Sequence, residues 1–491
     1  MEQDYIKLIF GLKLKQVRTE RGLSLFGLSK LTGLSKSYLN EIEKGKKYPK
    51  PDKISALSEH LDVPYDDLVS LKLDKNLAPV GEILQSKLLK EIPLELLGIQ
   101  ESTLIDIVSK APQKVSAFIS TIIEIANNYS FSRENFYLAS VRSFQEANNN
   151  YFGELEDAVV KFAKTYHIDL NKKIESQELE DILVEEFGYT INNDELESHS
   201  ELDNLRSIFI PKSKTLLITK SIDDAQRAFI YGKELAYNYL DITERLYTFS
   251  WIKFESFDEV LNNFYASYFA GALTIPRQSL VANLKALFEK KQFNTQDFQS
   301  LLKNYNASPE SIFQRFTNIL PKDFNLKNLF FLRFSHKKGS DIYTLNKELH
   351  LAKHQSPRAR ETNENYCQRW VSLKVLNAIS NSDKDYAFDM QISDYPAENK
   401  QYLVMAAATP DPFKANRFRS ISVGIELNTQ LKRKVNFLDH KNLKTIPVGV
   451  TCERCSIMDC DVRQKQPSVL MKRQKEIKTA EVVADIQKKY S

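Results

Sequence analysis

The sequence predicts a multidomain fold, mainly α over its N-terminal two-thirds and α+β over its C-terminal part, and three observations carry that reading. The 491 residues exceed what one hydrophobic core usually holds, so two to four domains are expected. Apolar residues recur three and four apart through most of the first 320 positions, as in LELLGIQESTLIDIVSKAP and VSAFISTIIEIANNY. From Leu326 short β-like runs replace that period: LFFLRF, DIYTL, QYLVMAAAT and SISVGIEL.

An apolar fraction of 42% and a charged fraction of 27% are those of a globular protein rather than a disordered one. No apolar run approaches the roughly 18 to 20 residues that span a bilayer. The start, MEQDYIKLIF, lacks the basic, apolar and small-residue order of a secretory leader, so a cytoplasmic protein is expected. The net charge of +4 is too dilute to name a partner, since salt screens such a field within about 10 Å. Local charge is more informative: residues 1–50 carry eleven Lys and Arg against five Asp and Glu, whereas 51–75 carry three against six.

Within that basic stretch, Gly22, Gly33, Gly45, Pro49, Pro51 and Pro64 punctuate five short helices between about 8 and 70. Leu14 and Val17 mark the buried stripe of the first, which Gly22 ends. Ser24 caps a second, with Leu25, Leu28 and Leu31 turned inward. Gly33 supplies a tight turn and Ser35 caps a third helix, SKSYLNEIEKG. Two short helices joined this way place the second in the DNA major groove, with Lys36, Ser37, Tyr38 and Asn40 toward the bases. Asn40 has the donor–acceptor pair for an adenine edge, and Ser37 serves bases or phosphates. Lys44, Lys46, Lys47 and Lys50 follow as the sequence-independent phosphate term. The competing reading is a helical domain with a solvated lysine cluster and no DNA. Leu34–Pro49 reads L-S-x-S-Y-L-x-x-I-E-x-G-K-x-x-P, and the stretch resembles the XRE/Cro-like helix-turn-helix family. It departs from that family at Leu25, where a phosphate-gripping Gln is usual. A domain of this type reading a palindrome needs two half-sites about one helical turn apart, which predicts a homodimer on double-stranded DNA.

Residues 76–165 are expected to form a helical linker whose apolar stripes supply the dimer surface. After the polar run NNDELESHSELDN come two strands, RSIFI and KTLLITK, around the turn Pro211-Lys212-Ser213. The helix AFIYGKELAY follows, and this order resembles the ImmA/IrrE-type metallopeptidases, a zincin-like α+β fold whose helix carries H-E-x-x-H. Here Lys233 and Tyr237 stand at the two histidine positions, and Glu234 alone survives. A second family block is similar over Tyr265–Pro276, with Tyr265 at the metal-binding glutamate position. Zinc hydrolysis needs neutral or anionic ligands at i and i+4, a third ligand and an open position for water. An ammonium repels the cation, and no histidine lies between His199 and His336. Residues 166–320 are therefore expected to be a pseudo-peptidase domain without catalytic zinc, with Glu234 in a helix-surface salt bridge or, second, as a pocket carboxylate. The alternative is a hydrolase with an unfamiliar site around Glu234.

The four cysteines, Cys367, Cys452, Cys455 and Cys460, all lie in the last quarter of the chain, the last three spaced C-x2-C-x4-C. Four thiolates satisfy tetrahedral zinc or one iron-sulfur cluster; the alternative is a set of small buried side chains. LFFLRF, then Cys367 with Trp370, then YLVMA, then the cysteine triplet with Asp461-Val462-Arg463 resembles the C-terminal domain of the short-chain fatty acyl transcriptional regulators. The resemblance implies a sensor domain over 321–470 for acyl-CoA or a related metabolite, with a cysteine-bound iron-sulfur or zinc centre. It departs at Lys338-Gly339-Ser340-Asp341, where a G-N-x-S-K-like turn is usual. Arg333, His350, His354 and Arg358 are candidates for a phosphate or carboxyl group; with Lys347 and Lys353 they also read as a solvated basic face. Residues 471–491 are expected as a basic helical tail. The whole predicts a sequence-specific regulator responding to a metabolite or to redox state. The third reading is an antitoxin-like interaction protein that binds DNA to control its own synthesis.

Overall fold

The computed structural model describes residues 2–71, 133–202, 205–249, 254, 256–351, 364–412 and 414–490. The chain forms two compact units, Met1–Ser140 and Val141–Ser491. The helical stretch expected over 80–132 lies outside the described residues, and only the end of the expected linker, 133–165, is seen.

The first unit opens with five helices: α1 Glu2–Glu20, α2 Leu25–Thr32, α3 Lys36–Glu43, α4 Pro51–Leu61 and α5 Tyr65–Val69. Ser24 Oγ accepts from the Gly27 amide and Ser35 Oγ from the Tyr38 amide, so both expected caps are formed. Gly33 ends α2 at φ +68, a left-handed backbone that a side chain would strain. Phe10, Leu14, Leu28, Leu39, Ile42 and Leu57 share one core. Leu31 does not join it and is 48% exposed, contrary to expectation. Each step of three residues rotates the stripe back by about 60°, so Leu25 and Leu28 cannot face the core with Leu31 as well.

The second unit is built around two sheets. Helix α6 Arg133–Ala147 begins in the first unit and ends in the second, where α7 Gly153–Thr165 and α8 Ser176–Glu185 lead to strands β1 Thr190–Asn192, β2 Ser207–Ile210, β3 Thr215–Ile218 and β4 Thr248–Phe249, with α9 Asp224–Tyr239 before β4. Their order is β1-β3-β2-β4, and the β2–β3 pair is the expected antiparallel hairpin. Helices α10 Phe257–Thr274, α11 Arg277–Phe288, α12 Thr295–Lys303 and α13 Pro309–Asp323 follow. Next come β5 Leu329–Lys337, β6 Tyr343–His350, α14 Val371–Ser380, β7 Ala387–Tyr395, β8 Lys400–Pro410, β9 Arg417–Glu426, α15 Thr429–Lys432 and β10 Thr445–Pro447. They make a six-stranded sheet, β10-β7-β8-β9-β5-β6. Strand alternation sends Leu329 and Phe331 into one core with α11, α12 and α13, and Phe330, Leu332 and Phe334 into another with α14. The final helix, α16 Ser468–Tyr490, buries no residue, as expected of a tail.

The boundary expected near 320 falls inside a continuous core, because Leu280, Phe313 and Leu320 pack with Met405 and Val423 of the sheet. A buried ion pair adds to it: Arg315 Nη1 and Nη2 lie 2.5 and 2.7 Å from the two Glu156 oxygens, joining α13 to α7. Central to the smaller-sheet half is α9, with Ala228 and every position from Ile230 to Tyr237 buried. Gly232 makes that packing feasible, since a Cβ there would stand 3.1 Å from Ala270 Cβ on α10.

Candidate nucleic-acid interface and a basic cavity

Because α9 is enclosed on all sides, Glu234 is 6% exposed rather than on a helix surface, which corrects the expected placement. Its salt bridge is real but buried: Arg245 Nη2 lies 2.6 and 2.7 Å from the two carboxylate oxygens. Tyr189 donates its hydroxyl to the same carboxylate at 3.1 Å. The Arg245 guanidinium lies 3.9 Å from the Tyr237 ring centre and 4.5 Å from that of Phe209. A cation thus already sits on Glu234, flanked by aromatic rings. Lys233 is also buried and donates to Asn263 Oδ1 at 2.7 Å. Burial pushes its pKa down to about 7, opposed by Glu234 and reinforced by Arg245 and Arg206.

Lys233 also forms part of the wall of a cavity of about 510 Å³. Six basic side chains line it, Arg206, Lys233, Arg333, Lys347, Lys414 and Arg419, against two acidic ones, Glu310 and Asp411. They come from separate elements of the second unit and were not legible as a group in the sequence. Glu310 is paired with Arg333 at 3.0 Å. Although burial opposes its ionisation, Arg333, Lys347 and Arg419 hold it below the usual carboxylate range. Positive charge remains in excess: burial and the neighbouring Arg419 and Arg333 push Arg206 down to about 10. Arg333 and Arg419 each keep a buried Nε without a hydrogen-bond partner among the described residues. The start of α13, capped by Ser308, adds its helix-dipole end to the same wall. Of the residues named from sequence for an anionic group, Arg333 is in this cavity. His350 is buried elsewhere, 3.0 Å from Glu348, and His354, Arg358 and Lys353 lie outside the described residues.

The four cysteines, separated by up to 93 positions, line one small cavity with Thr451 and Arg463. The Cys367 thiol, which burial pushes up to about 11, accepts from the Gly449 and Arg369 amides. Cys452 Sγ accepts from the Gln464 amide at 3.5 Å. Arg463 clasps the loop through the carbonyls of Cys452, Cys455 and Ile457, a role its sequence position did not announce. Donor chemistry and amide-to-sulfur bonds fit a thiolate metal site. The spacing does not yet close one: among the described residues no three His, Cys, Asp or Glu are arranged to hold an ion.

In the first unit, α3 buries Leu39, Ile42 and Glu43 and turns Lys36, Ser37, Asn40 and Lys44 to the opposite side. Lys36, Ser37 and Lys44 are exposed and Asn40 is half-buried. A pair that sequence reasoning missed fixes this orientation: Arg18 Nε and Nη2 bond the two oxygens of buried Glu43 at 2.6 and 3.0 Å. Residues 14–68 match the Helix-turn-helix family. No curated protein matches the chain. Among solved structures, a Mycobacterium tuberculosis transcriptional regulator aligns over 66% of this chain and 92% of its own, with 17% identity and a TM-score of 0.47. In the helix-turn-helix, α2 and α3 are the paired helices and Ser24 and Ser35 stand exposed at their N-termini. Tyr38 is half-buried against the core, with Lys47 Nζ 6.0 Å from its ring centre. Lys47 is also bound to Glu41 at 2.7 Å, whereas Lys46 and Lys50 are exposed. The half-buried Leu25 occupies the first turn of α2, so that turn offers its amides and the Ser24 hydroxyl to a phosphate, with no side-chain amide.

Proposed function

We propose that this chain is a sequence-specific transcriptional regulator that reads DNA with α3 and takes an anionic metabolite in the basic cavity of its second unit. The observation that carries the first half is the face of exposed Lys36, Ser37 and Lys44 with half-buried Asn40, set on a helix-turn-helix core and held by the Arg18–Glu43 pair. Asn40 and Ser37 read base edges; Lys44, Lys46 and Lys50 contact phosphates. The protein acts as a homodimer, so that two α3 helices meet successive major-groove faces. The cavity's excess of guanidinium supports an anionic effector, of which a short-chain acyl-CoA is the member the sequence resemblance implies. Effector binding then changes the DNA-competent population to the extent that the two states differ in affinity.

The segment around Glu234 serves this regulator as a scaffold and not as a peptidase. What supports that reading is the Arg245 guanidinium, which already neutralises the carboxylate. The convergence of four thiols on one small cavity supports a thiolate-bound zinc or iron-sulfur centre, which would draw Cys367, Cys452, Cys455 and Cys460 together as ligands. Genomic DNA selection on the full-length protein, with metal analysis of anaerobic preparations and of Cys455→Ala, tests the whole. Enrichment of one palindromic motif and about one metal centre per chain are expected. No enriched motif sinks the DNA reading, and a metal content unchanged by Cys455→Ala sinks the thiolate site.

A further inference from the structure

The cavity's most reactive wall is Lys233. It lies on α9, 6% exposed, and borders both the large cavity and a smaller void lined by Glu234, Tyr237 and Thr248. One of its hydrogen bonds goes to the neutral amide of Asn263, and the adjacent Glu234 is taken up bidentately by Arg245. Arg206, Arg333 and Arg419 line the same space. An amine and three guanidiniums around one volume of about 510 Å³ recognise two chemical features at once: an anionic group and an electrophile.

We propose that the Lys233 amine captures the carbonyl carbon of the cavity's ligand as a reversible imine, so that the ligand class is an aldehyde or ketone bearing a phosphate or carboxylate. This inference rests on the reading of the cavity as an anion site; it narrows the anion to a carbonyl compound and so departs from the thioester that the sequence resemblance implies. The nitrogen lone pair of Lys233 attacks the carbonyl carbon, and the carbonyl oxygen takes up the proton that the nitrogen loses. Expulsion of that oxygen with a second proton from the nitrogen, as water, forms the C=N double bond. Nothing is oxidised or reduced, and hydrolysis reverses the step. Burial, which lowers the Lys233 pKa to about 7, makes the unprotonated amine accessible near neutral pH, where an exposed lysine is almost wholly an ammonium.

Pyridoxal 5′-phosphate and its phosphate-free counterpart pyridoxal are suitable probes of the full-length protein, with borohydride trapping and peptide mass mapping. The expected result is one principal adduct, on Lys233, whose yield rises with pH around 7. Pyridoxal at equal concentration gives about tenfold less, and pyrophosphate competes. Lys233→Met removes the adduct, and its urea unfolding transition shows that the variant is still folded. Arg333→Gln and Arg419→Gln weaken pyrophosphate binding and reduce the pyridoxal phosphate yield toward that of pyridoxal. Labelling spread over surface lysines, or centred on Lys347 or Lys414, overturns the imine. If pyrophosphate still binds and the two arginine variants still weaken it, the anion site survives that failure. Pyrophosphate binding that is absent, or indifferent to both arginine variants, overturns the anion site itself.

Discussion

Replacing Arg245 by Met tests whether the cation on Glu234 is structural. The two side chains are 7% and 8% exposed, and both carboxylate oxygens are engaged within 2.7 Å. Met roughly replaces the apolar body that lies between Tyr237 and Phe209, so packing changes little. The charge is lost, leaving a buried carboxylate with the Tyr189 hydroxyl as its remaining hydrogen-bond donor at this site. Removing one member of a buried pair costs about 3–5 kcal/mol, more than a surface pair could contribute. Trp370 is buried in the second unit, so its emission during urea unfolding reports on the unit that holds the pair. The stability should fall by that amount at constant m-value, and the double variant Glu234→Leu/Arg245→Met should recover most of it. A loss below about 1 kcal/mol, or a double variant no better than the single one, refutes the reasoning.

Three further outcomes follow from other parts of the molecule. Gly424→Ala should cost about 1–3 kcal/mol in the same unfolding assay, because the added Cβ would stand 2.2 Å from the ring of Phe330, its cross-strand partner. Lys233→Met should stabilise the protein near pH 7, with the gain shrinking as pH rises toward 10.5. Burial lowers the folded pKa to about 7, so between the two values the unfolded chain holds the extra proton and the wild type gains stability with rising pH; urea midpoints across that window check the slope. Lys46→Ala and Lys50→Ala should each reduce the slope of log K against log salt by about 0.9 per protomer in DNA titrations, and Lys47→Ala by less because Glu41 already holds its ammonium.

What the sequence disclosed and what it hid divide along physical lines. Caps and turns are local, so Ser24, Gly33 and Ser35 could be placed from residue type alone, as could the hairpin around Pro211-Lys212-Ser213. Period-2 runs disclosed β5, β6, β8 and β9. Strand β7, AFDMQISDY, was missed although Phe388, Met390 and Ile392 alternate with Asp389, Gln391 and Ser393, and Gln391 and Ser393 are themselves buried. The inner environment of Glu234 was invisible in the sequence. Its partner Arg245 is 11 residues away, beyond the end of α9, and no helical spacing links them. The basic cavity needed the tertiary fold: Arg333 was singled out in sequence, but Arg206 and Arg419 were not, and only the packing of the two sheets' halves brings the three to one wall. Convergence of Cys367 on the C-x2-C-x4-C loop was legible in composition; the Arg463 clasp that shapes that loop was not.

The most direct measurement is the affinity of the full-length protein for its selected genomic site and for a scrambled duplex, at one stated salt concentration, with Asn40→Ala and Ser37→Ala beside the parent. Loss of base contacts by α3 should weaken the specific complex about tenfold or more per substitution and leave the scrambled complex unchanged. Equal affinities for both duplexes in all three proteins would contradict recognition by this helix.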